Sequence, residues 1–290
     1  MKRILLVGKN GQVGWELQRT LATLGDVIAV DFPSIDLAKP DSIRQVIRTI
    51  QPSLIVNAAA YTAVDKAESE PDLAMAINGI APGIMAEEAK RLGAAMVHYS
   101  TDYVFDGTKA APYTEEDISN PLNVYGKTKL AGDLAIQAAG IPHLIFRTSW
   151  VYGLRGKNFL LTILRLAKER DELKIVDDQI GAPTWSRMIA EATGQVLSQC
   201  LSSPTMKSGV YNLAAIGNTS WHGFTQAILE NASNQMQPLP RLIPIATTEY
   251  PLPAPRPSYS ILSSDKLNQT FGVTPPVWSA SLSLCMETSE

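Results

Sequence analysis

The stretch "ILLVGKNGQVGWEL", residues 4–17, joins an apolar strand to an amphipathic helix through a glycine-rich turn. Its glycines, Gly8, Gly11 and Gly14, follow the spacing G-x-x-G-x-x-G, whereas the commoner motif is G-x-G-x-x-G. Such a turn brings backbone amides at a helix N-terminus close to a pyrophosphate, which the helix dipole favours. The stretch therefore predicts a dinucleotide-binding strand–turn–helix unit. A tight turn that binds no ligand is the alternative.

Short apolar runs alternate with amphipathic stretches through the first half of the chain. Because these runs are continuously apolar, they predict strands that are buried on both faces. They are residues 4–7, 27–30, 54–58, 96–99 and 144–146. The repeated strand–helix–strand order predicts an α/β fold with a Rossmann-type, doubly wound parallel sheet.

The pattern loosens after residue 150, which indicates a second, smaller unit. We expect residues 1–150 to form an NAD(P)-binding domain that is rejoined by about residues 185–235. Residues 151–290 would then form mainly a substrate-binding lobe that is discontinuous in sequence. Seven prolines between positions 238 and 257 predict an ordered loop there, without a regular helix or a central strand.

Composition narrows the class of protein. The chain has 290 residues, 45% of them apolar, and a formal net charge of −3, which indicates neither a nucleic-acid nor a membrane partner. Two cysteines, Cys200 and Cys285, imply no disulfide framework. The N-terminal apolar run is too short for a signal peptide, and no run is long enough to span a bilayer. These features predict a cytoplasmic protein.

An acidic residue, Asp31, ends the second predicted strand. In dinucleotide-binding folds a carboxylate at this place binds the adenosine ribose hydroxyls, and it would repel a 2′-phosphate. Taken alone it favours NAD, but Lys9 in the glycine-rich turn could offset the repulsion. The preference between NADPH and NADH stays open.

The stretch "NVYGKTKLAGD", residues 123–133, places Tyr125 and Lys129 four positions apart at the start of a predicted helix. Positions i and i+4 share one helical face. An ammonium about 4 Å from the phenol would favour phenolate by roughly 4 kcal/mol at an effective dielectric of about 20. We therefore expect Lys129 to lower the pKa of Tyr125 and make it an acid–base catalyst. The alternative is an exposed aromatic side chain beside a solvated lysine.

Upstream, "MVHYSTDYVFDG" (residues 96–107) ends a buried strand with Ser100, Thr101 and Asp102. In open α/β sheets, ligands bind beyond the carboxyl ends of the strands. We expect the Thr101 hydroxyl to bind the same substrate oxygen that Tyr125 protonates. Ser100 is the second choice.

These motifs, in this order, resemble the extended short-chain dehydrogenase/reductase family. Within it, four longer strings are similar to reductases of dTDP-activated 4-keto sugars: "GKNGQVGWELQR", "NAAAYTAVDKAESEP", "STDYVFDG" with "PLNVYGKTKLAGD", and "FRTSWVYG". The likeness runs from residue 1 through "DDQIGAPT" and returns at "PAPRPSYS". It implies reduction of the C4 ketone of dTDP-4-dehydro-L-rhamnose to dTDP-L-rhamnose by NADPH or NADH.

The resemblance also implies a role for individual residues. Tyr125 would donate the proton, Thr101 would polarise the ketone, and Lys129 would hold the nicotinamide ribose. The implied cofactor contacts are Gly11, Gln12 and Val13 at the phosphates, Asp31 at the adenosine ribose, Asp36 and Leu37 beside the adenine, and Ala60, Tyr61 and Thr62 along the far side. The implied substrate contacts are Asp102 and Trp150 at the sugar and Arg256 at a phosphate.

Some members of this family are dimers bridged by magnesium on glutamates. Glu16 matches the first such position, but the second falls close to Arg187 and offers no carboxylate. The three histidines show no ligand spacing, so we expect no catalytic metal. A monomer and a homodimer both remain open.

Two alternatives are compatible with parts of the pattern. A nucleotide-sugar epimerase or dehydratase shares the fold, but sugar dehydratases have Thr-Asp-Glu where this chain has Thr-Asp-Tyr, with Tyr103 in the third place. The regulatory subunit of methionine adenosyltransferase, a binding protein, shares the architecture and a similar "YGKTKL" string. Trp150 and "NAAAYTAVDKAESE" favour the reductase.

Overall fold

The computed structural model describes residues 2–203, 205–233 and 236–287. Within this part of the chain the backbone forms twelve short strands. They are β1 (Arg3–Val7), β2 (Asp26–Val30), β3 (Leu54–Asn57), β4 (Ala95–Thr101), β5 (His143–Thr148), β6 (Val151–Tyr152), β7 (Glu172–Val176), β8 (Ile180–Gly181), β9 (Thr184–Trp185), β10 (Gly209–Asn212), β11 (Thr219–Ser220) and β12 (Arg241–Ile245).

The described residues also form eleven α-helices. They are α1 (Gln12–Thr20), α2 (Pro40–Ile50), α3 (Val64–Ser69), α4 (Pro71–Met75), α5 (Ala81–Leu92), α6 (Val124–Ala139), α7 (Phe159–Glu169), α8 (Ser186–Ser202), α9 (Trp221–Ala232), α10 (Asp265–Phe271) and α11 (Trp278–Met286). A π-helical turn at Ala76–Ile80 connects α4 to α5. None of the helices in the described ranges is long and apolar enough to cross a membrane.

The central sheet has six strands in the order β10-β5-β4-β3-β1-β2, and every neighbouring pair is parallel. Its strands are mainly apolar in their middle parts because helices cover both faces. The five strands predicted from the apolar runs are all present, and "GVYNLA" supplies β10. The predicted doubly wound α/β fold is confirmed.

Two apolar clusters cover the two faces of the sheet. On one face Leu6 and Phe146 pack with Leu17 of α1 and Leu197 of α8. On the other face the strands pack against α2 and α5, whose buried side chains include Ile47 and Met85. Because α1 and α8 share one cluster, a segment far along the chain holds the first helix in place.

A third apolar cluster lies outside the sheet and joins α7, α9 and α11 around Phe224. The parallel pair β7–β12 belongs to this lobe. The prediction of an ordered loop at 238–257 is wrong for Arg241–Ile245, which form β12. The prediction that no central strand lies there is not contradicted, since β12 belongs to a two-stranded pair. A two-stranded pair leaves each strand one free edge, so Pro244 can lie in β12 despite its missing N–H.

We propose a division of the chain that follows these clusters. The dinucleotide domain comprises residues up to about 150 and is rejoined by α8 and β10, together with α10, whose Leu267 and Phe271 pack in the first cluster. The lobe takes most of the remaining chain, including α9. The rejoining segment is thus narrower than residues 185–235, because α9 packs on α7 and β7.

Leu197→Ala tests the role of α8. The side chain is completely buried, so we expect a loss of about 2–5 kcal/mol in the free energy of unfolding. Leu134→Ala, on the surface of α6 and 56% exposed, is the matched control and should change it by less than about 0.5 kcal/mol. Chemical denaturation of both variants measures the difference, and equal losses would contradict the packing role.

Candidate active site

The glycine-rich turn lies where the order of the sheet reverses. Strand β1 pairs with β2 on one side and β3 on the other, which opens a crevice beyond their carboxyl ends. Gly8 has φ +92°, and a Cβ there would lie 2.7 Å from the backbone nitrogen of Ala59. Gly11 precedes α1 without a side-chain cap, so the first amides of that helix have no side-chain acceptor. The turn, with Gln12, Val13 and Gly14, fits a pyrophosphate.

Asp31 lies directly beside this turn. Its Oδ2 accepts the backbone N–H of Asn10 at 2.9 Å, and its Oδ1 accepts that of Phe32 at 2.8 Å. The carboxylate therefore holds the end of β2 against the loop. Its position agrees with the predicted ribose contact, which remains a prediction.

Asp36 and Leu37, predicted beside the adenine, follow in the turn before α2. Asp36 pairs with Lys39 at 3.1 Å, and this hydrogen-bonded lysine lowers the pKa of the carboxyl. Leu37 packs partly buried against the second apolar cluster. Both residues lie near the end of β2, but the Asp36 carboxylate is already engaged.

Ala60, Tyr61 and Thr62 follow β3, and a residue that sequence reasoning missed holds them in place. Asn78, in the π-helical turn, accepts the N–H of Tyr61 at 2.8 Å and donates to the Tyr61 carbonyl at 3.0 Å. Its amide also donates to the Thr128 hydroxyl of α6 at 3.2 Å. One buried asparagine thus ties the predicted cofactor loop to the helix of Tyr125. No pattern in the sequence predicts this π-helical turn.

Thr101, Asp102 and Tyr125 meet at the carboxyl end of β4. The Thr101 hydroxyl donates to Asp102 Oδ1 at 3.0 Å and lies next to the Tyr125 phenol. Burial raises the pKa of Tyr125 to about 12, the Thr101 contact opposes that rise, and Asp102 adds to it. Burial likewise raises the pKa of Asp102 to about 7. The phenol therefore carries its proton at neutral pH.

Lys129 shares the helical face of Tyr125, as the spacing predicts, but its ammonium group lies elsewhere. Its Nζ is 3.0 Å from His98 Nε2 and donates to the Tyr99 carbonyl at 2.5 Å. Burial raises the pKa of Tyr125 and Lys129 is not among the groups that shift it, so the expectation that Lys129 lowers this pKa is wrong for this arrangement. The reason is that the side chain turns inward to β4.

Ser100, the second choice for the substrate hydroxyl, lies beneath α6. Its hydroxyl donates to Asp133 Oδ2 at 2.7 Å, and both groups are buried. The Ser100 hydroxyl is therefore engaged by Asp133, whereas Thr101, the last residue of β4, lies next to Tyr125. The structure therefore favours Thr101.

A cleft of about 540 Å³ opens between the lobe and the sheet domain. Its lining includes Tyr103, Phe159, Gln179, Trp221, Thr247 and Arg256. The Tyr103 ring meets the Tyr125 ring edge-on, with 5.9 Å between centroids. The cleft therefore reaches the phenol through Tyr103.

Trp150 has φ +45°, an unusual backbone conformation for a bulky residue. Its indole stacks on Trp221 at 3.5 Å between ring centroids, and a Cβ at Gly181 would collide with the same indole. Trp221 donates to Gln179 Oε1 at 3.1 Å and lines the cleft. Trp150 therefore supports the cleft wall through Trp221, a residue that the sequence did not single out.

Arg256, which was predicted to contact a substrate phosphate, forms a bidentate ion pair with Asp65 of α3. Its Nη2 lies 2.8 Å from Asp65 Oδ2, and Nη1 donates to Asp65 Oδ1 and to the Ala254 carbonyl. The guanidinium lines the cleft, but its donors are largely used by Asp65. A phosphate would have to share this arginine with Asp65.

Metal ligands are not clustered in the part of the chain that the structure describes. No group of three or more His, Cys, Asp or Glu side chains there is arranged to hold a metal ion. Magnesium on Glu16 has no support from these side chains.

A glycine-rich turn at a sheet reversal, with Thr101, Tyr125 and Lys129 on adjoining elements, defines a short-chain dehydrogenase/reductase. The family model described as "RmlD substrate binding domain" matches residues 1–290. Two similar curated relatives are dTDP-4-dehydrorhamnose reductases. The one from Burkholderia thailandensis is 49% identical and the alignment covers 98% of each chain. The one from Escherichia coli K12 is 48% identical, covering 95% of this chain and 94% of the relative.

Among solved structures, the dTDP-4-dehydrorhamnose reductase of Bacillus anthracis in complex with NADP superposes with a TM-score of 0.91. It is 34% identical, and the match covers 98% of each chain. The chain belongs to the RmlD substrate binding domain family, together with the dTDP-4-dehydrorhamnose reductases, and is an oxidoreductase. The resemblance inferred from the motifs is confirmed. The epimerase or dehydratase and the regulatory subunit are not favoured.

Asp31→Asn tests the predicted ribose contact. The amide keeps an acceptor for the Asn10 N–H but removes the charge that would repel a 2′-phosphate. Unit charges about 4 Å apart in water interact by about 1 kcal/mol, so the affinity for NADPH relative to NADH should rise about fivefold. Fluorescence titration with both nucleotides measures the ratio.

Asp36→Asn is the matched control, because the Asp36 carboxylate is engaged by Lys39 and Ala38. The affinity of this variant for NADPH relative to NADH should stay near that of the unmodified protein. An unchanged ratio in Asp31→Asn would remove the ribose contact from Asp31.

Proposed function

We propose that the chain reduces the C4 ketone of dTDP-4-dehydro-L-rhamnose to dTDP-L-rhamnose with NADPH or NADH, and that Tyr125 is the proton donor. The observation that carries the proposal is the placement of a protonated phenol. Tyr125 lies against Thr101 at the end of β4, within contact of the cleft and on the sheet edge that holds the glycine-rich turn. The family relationship supports the same activity.

Tyr125 and Thr101 would both act on the ketone oxygen of the substrate. When bound, the reduced nicotinamide supplies the hydride to C4. Tyr125 then gives its proton to the oxygen that becomes the alkoxide, and the Thr101 hydroxyl helps to hold that oxygen. The raised pKa of Tyr125 keeps the proton available until the alkoxide, a much stronger base, develops.

The cofactor would be held by residues along the crevice. Gly8, Gly11, Gln12, Val13 and Gly14 would hold the phosphates, because the uncapped start of α1 supplies free amides. Asp31, Asp36 and Leu37 would surround the adenosine, and Ala60, Tyr61 and Thr62 would line the middle. The NADP complex of the Bacillus anthracis relative supports a nicotinamide dinucleotide here.

The nucleotide part of the substrate would occupy the cleft. Its walls combine Phe159 and Trp221, which suit stacking on a base, with the cations Arg170 and Lys174, which suit a diphosphate. Asp102, Trp150 and Arg256 would complete the sugar and phosphate contacts. A cytoplasmic location and a monomer or homodimer remain predictions.

The decisive experiment incubates the purified protein with dTDP-4-dehydro-L-rhamnose and follows the absorbance of NADPH or NADH. Consumption of the reduced cofactor with formation of dTDP-L-rhamnose supports the proposal. A tightly held oxidised cofactor and no net consumption would indicate an epimerase instead. Neither consumption nor product would refute the proposal.

Tyr125→Phe tests the proton donor. We expect kcat to fall by about 10²–10⁴, because the acid is lost, while the Kd for NADPH stays within about twofold. Tyr211→Phe is the control, because the Tyr211 hydroxyl donates to the Lys207 carbonyl at the edge of the sheet. This variant should keep the turnover of the unmodified protein. Normal turnover in Tyr125→Phe would show that a group other than Tyr125 donates the proton.

A further inference from the structure

A short loop, residues 153–158, connects β6 to α7 and lies against the start of α1. Its last residue, Asn158, donates from Nδ2 to Gln12 Oε1 at 2.8 Å. Within the same loop the Cζ atom of Arg155 lies 3.5 Å from the centroid of the Trp15 ring. Gln12 and Trp15 are three residues apart in α1, so they share one helical face. The loop is therefore held to this face of α1 at two places.

Asn158 is also the N-cap of α7. Its Oδ1 accepts the backbone N–H of Leu161 at 3.0 Å, which satisfies one of the amides at the start of the helix. The next residue, Phe159, lines the cleft, as do Thr162 and Ile163 further along α7. One asparagine side chain therefore contacts both the first residue of α1 and the start of a helix that forms a wall of the cleft.

Hydrogen-bond accounting fixes the orientation of both side-chain amides. A backbone N–H can only donate, so the Asn158 oxygen faces Leu161 and the Asn158 nitrogen faces Gln12. Gln12 must then present its oxygen to Asn158. Its nitrogen remains a donor, and one amide hydrogen reaches the Val151 carbonyl at 3.4 Å. Asn158 therefore determines which end of the Gln12 side chain can donate to a phosphate.

The contact between Gln12 and Asn158 is only partly buried, so water competes for both amides and the contact is an equilibrium. Phosphates are bound by hydrogen-bond donors, so a phosphate at the glycine-rich turn favours the orientation in which the Gln12 oxygen faces Asn158. A ligand that binds one of two arrangements more tightly shifts the population toward that arrangement. Binding of a phosphate at the turn would thus strengthen the contact and hold the start of α7 beside the cleft.

We propose that Asn158 is a positioning residue that couples the cofactor site to the substrate cleft through Gln12 and α7. The inference rests on the proposed function, in which Gln12 contacts a cofactor phosphate and the cleft takes the nucleotide part of the substrate. It adds that the two sites are linked, so each ligand binds more tightly when the other is present. Because binding free energies are linked, the factor is the same in both directions.

Thymidine diphosphate (dTDP) and NADP⁺ probe the two sites without turnover. Calorimetric titration gives the Kd for dTDP alone and in saturating NADP⁺, and the reverse titration gives the Kd for NADP⁺ with and without dTDP. A hydrogen bond between neutral groups contributes a factor of about five, so we expect each ligand to tighten the binding of the other about fivefold in the unmodified protein.

Asn158→Ser tests the coupling, because serine loses the amide but keeps a hydroxyl that can cap α7. The coupling factor should fall to about one, while the Kd for dTDP alone stays within about twofold. Arg165→Ala is the matched control on α7, since Arg165 is exposed and pairs with Glu169. That variant should keep the fivefold coupling. Unchanged coupling in Asn158→Ser would contradict the positioning role.

Gln12→Met separates this contact from the other bonds of Asn158, whose amide also donates to the Gly153 and Arg155 carbonyls. Methionine has a similar length but cannot accept the Asn158 N–H, so this variant should also reduce the coupling factor to about one. Adding Asn158→Ser to it should then change the coupling no further. Coupling that persists in Gln12→Met and disappears only in the double variant would show that Asn158 acts through another contact, which would overturn the inference.

The outcomes separate the inference from the proposed function. Reduction of the sugar without coupling between dTDP and NADP⁺ would overturn the inference and leave the proposed function intact. Coupling without reduction would refute the proposed function and leave the linkage of the two sites supported. If Asn158→Ser does not fold, Gln12→Met decides alone, because it removes the same hydrogen bond from the other side. An unmodified protein that binds neither nucleotide would overturn both.

Discussion

Helix α6 buries a polar face against the sheet, and the arrangement of the candidate active site depends on how that burial is compensated. Thr128, Lys129 and Asp133 all face inward, although burying an unpaired charge costs several kcal/mol. The compensation comes from strand ends: His98 and the Tyr99 carbonyl for Lys129, Ser100 and Arg147 for Asp133. Because these partners are fixed in β4 and β5, the helix has one rotational setting. That setting brings Tyr125 to Thr101.

The lobe is tied to the start of the same helix. Asn123 caps α6 by accepting the Gly126 N–H at 2.8 Å, and its amide donates to the Pro255 carbonyl at 2.8 Å. One residue later Arg256 pairs with Asp65 of α3. The segment around Pro255 therefore joins the cleft wall to α3 and to the N-terminus of α6, the helix that carries Tyr125. A displacement of this segment would alter the cleft and the N-terminus of α6 together, so under the proposed function a substrate bound in the cleft would influence Tyr125.

The sequence predicted the features that local patterns encode. Apolar runs located the five strands, the glycine spacing located the turn, and the four-residue spacing placed Tyr125 and Lys129 on one face. It could not predict where the Lys129 ammonium points, because His98 becomes its neighbour only when β4 packs under α6. Asn78 was missed for the same reason, as was Trp221, whose stack on Trp150 joins segments about seventy residues apart. Arg256 was expected at a phosphate because its partner, Asp65, is remote in sequence.

Two acids, Asp102 and Tyr125, meet at the end of β4. Both pKa values are raised by burial, but the Asp102 carboxyl reaches only about 7 while the Tyr125 phenol reaches about 12. An enzyme that oxidises an alcohol needs a phenolate to accept the proton, and a raised phenol pKa would oppose it. A ketone reductase needs the reverse, a protonated phenol that yields its proton only when hydride arrival creates an alkoxide. The raised pKa of Tyr125 therefore suits the direction of the proposed reduction.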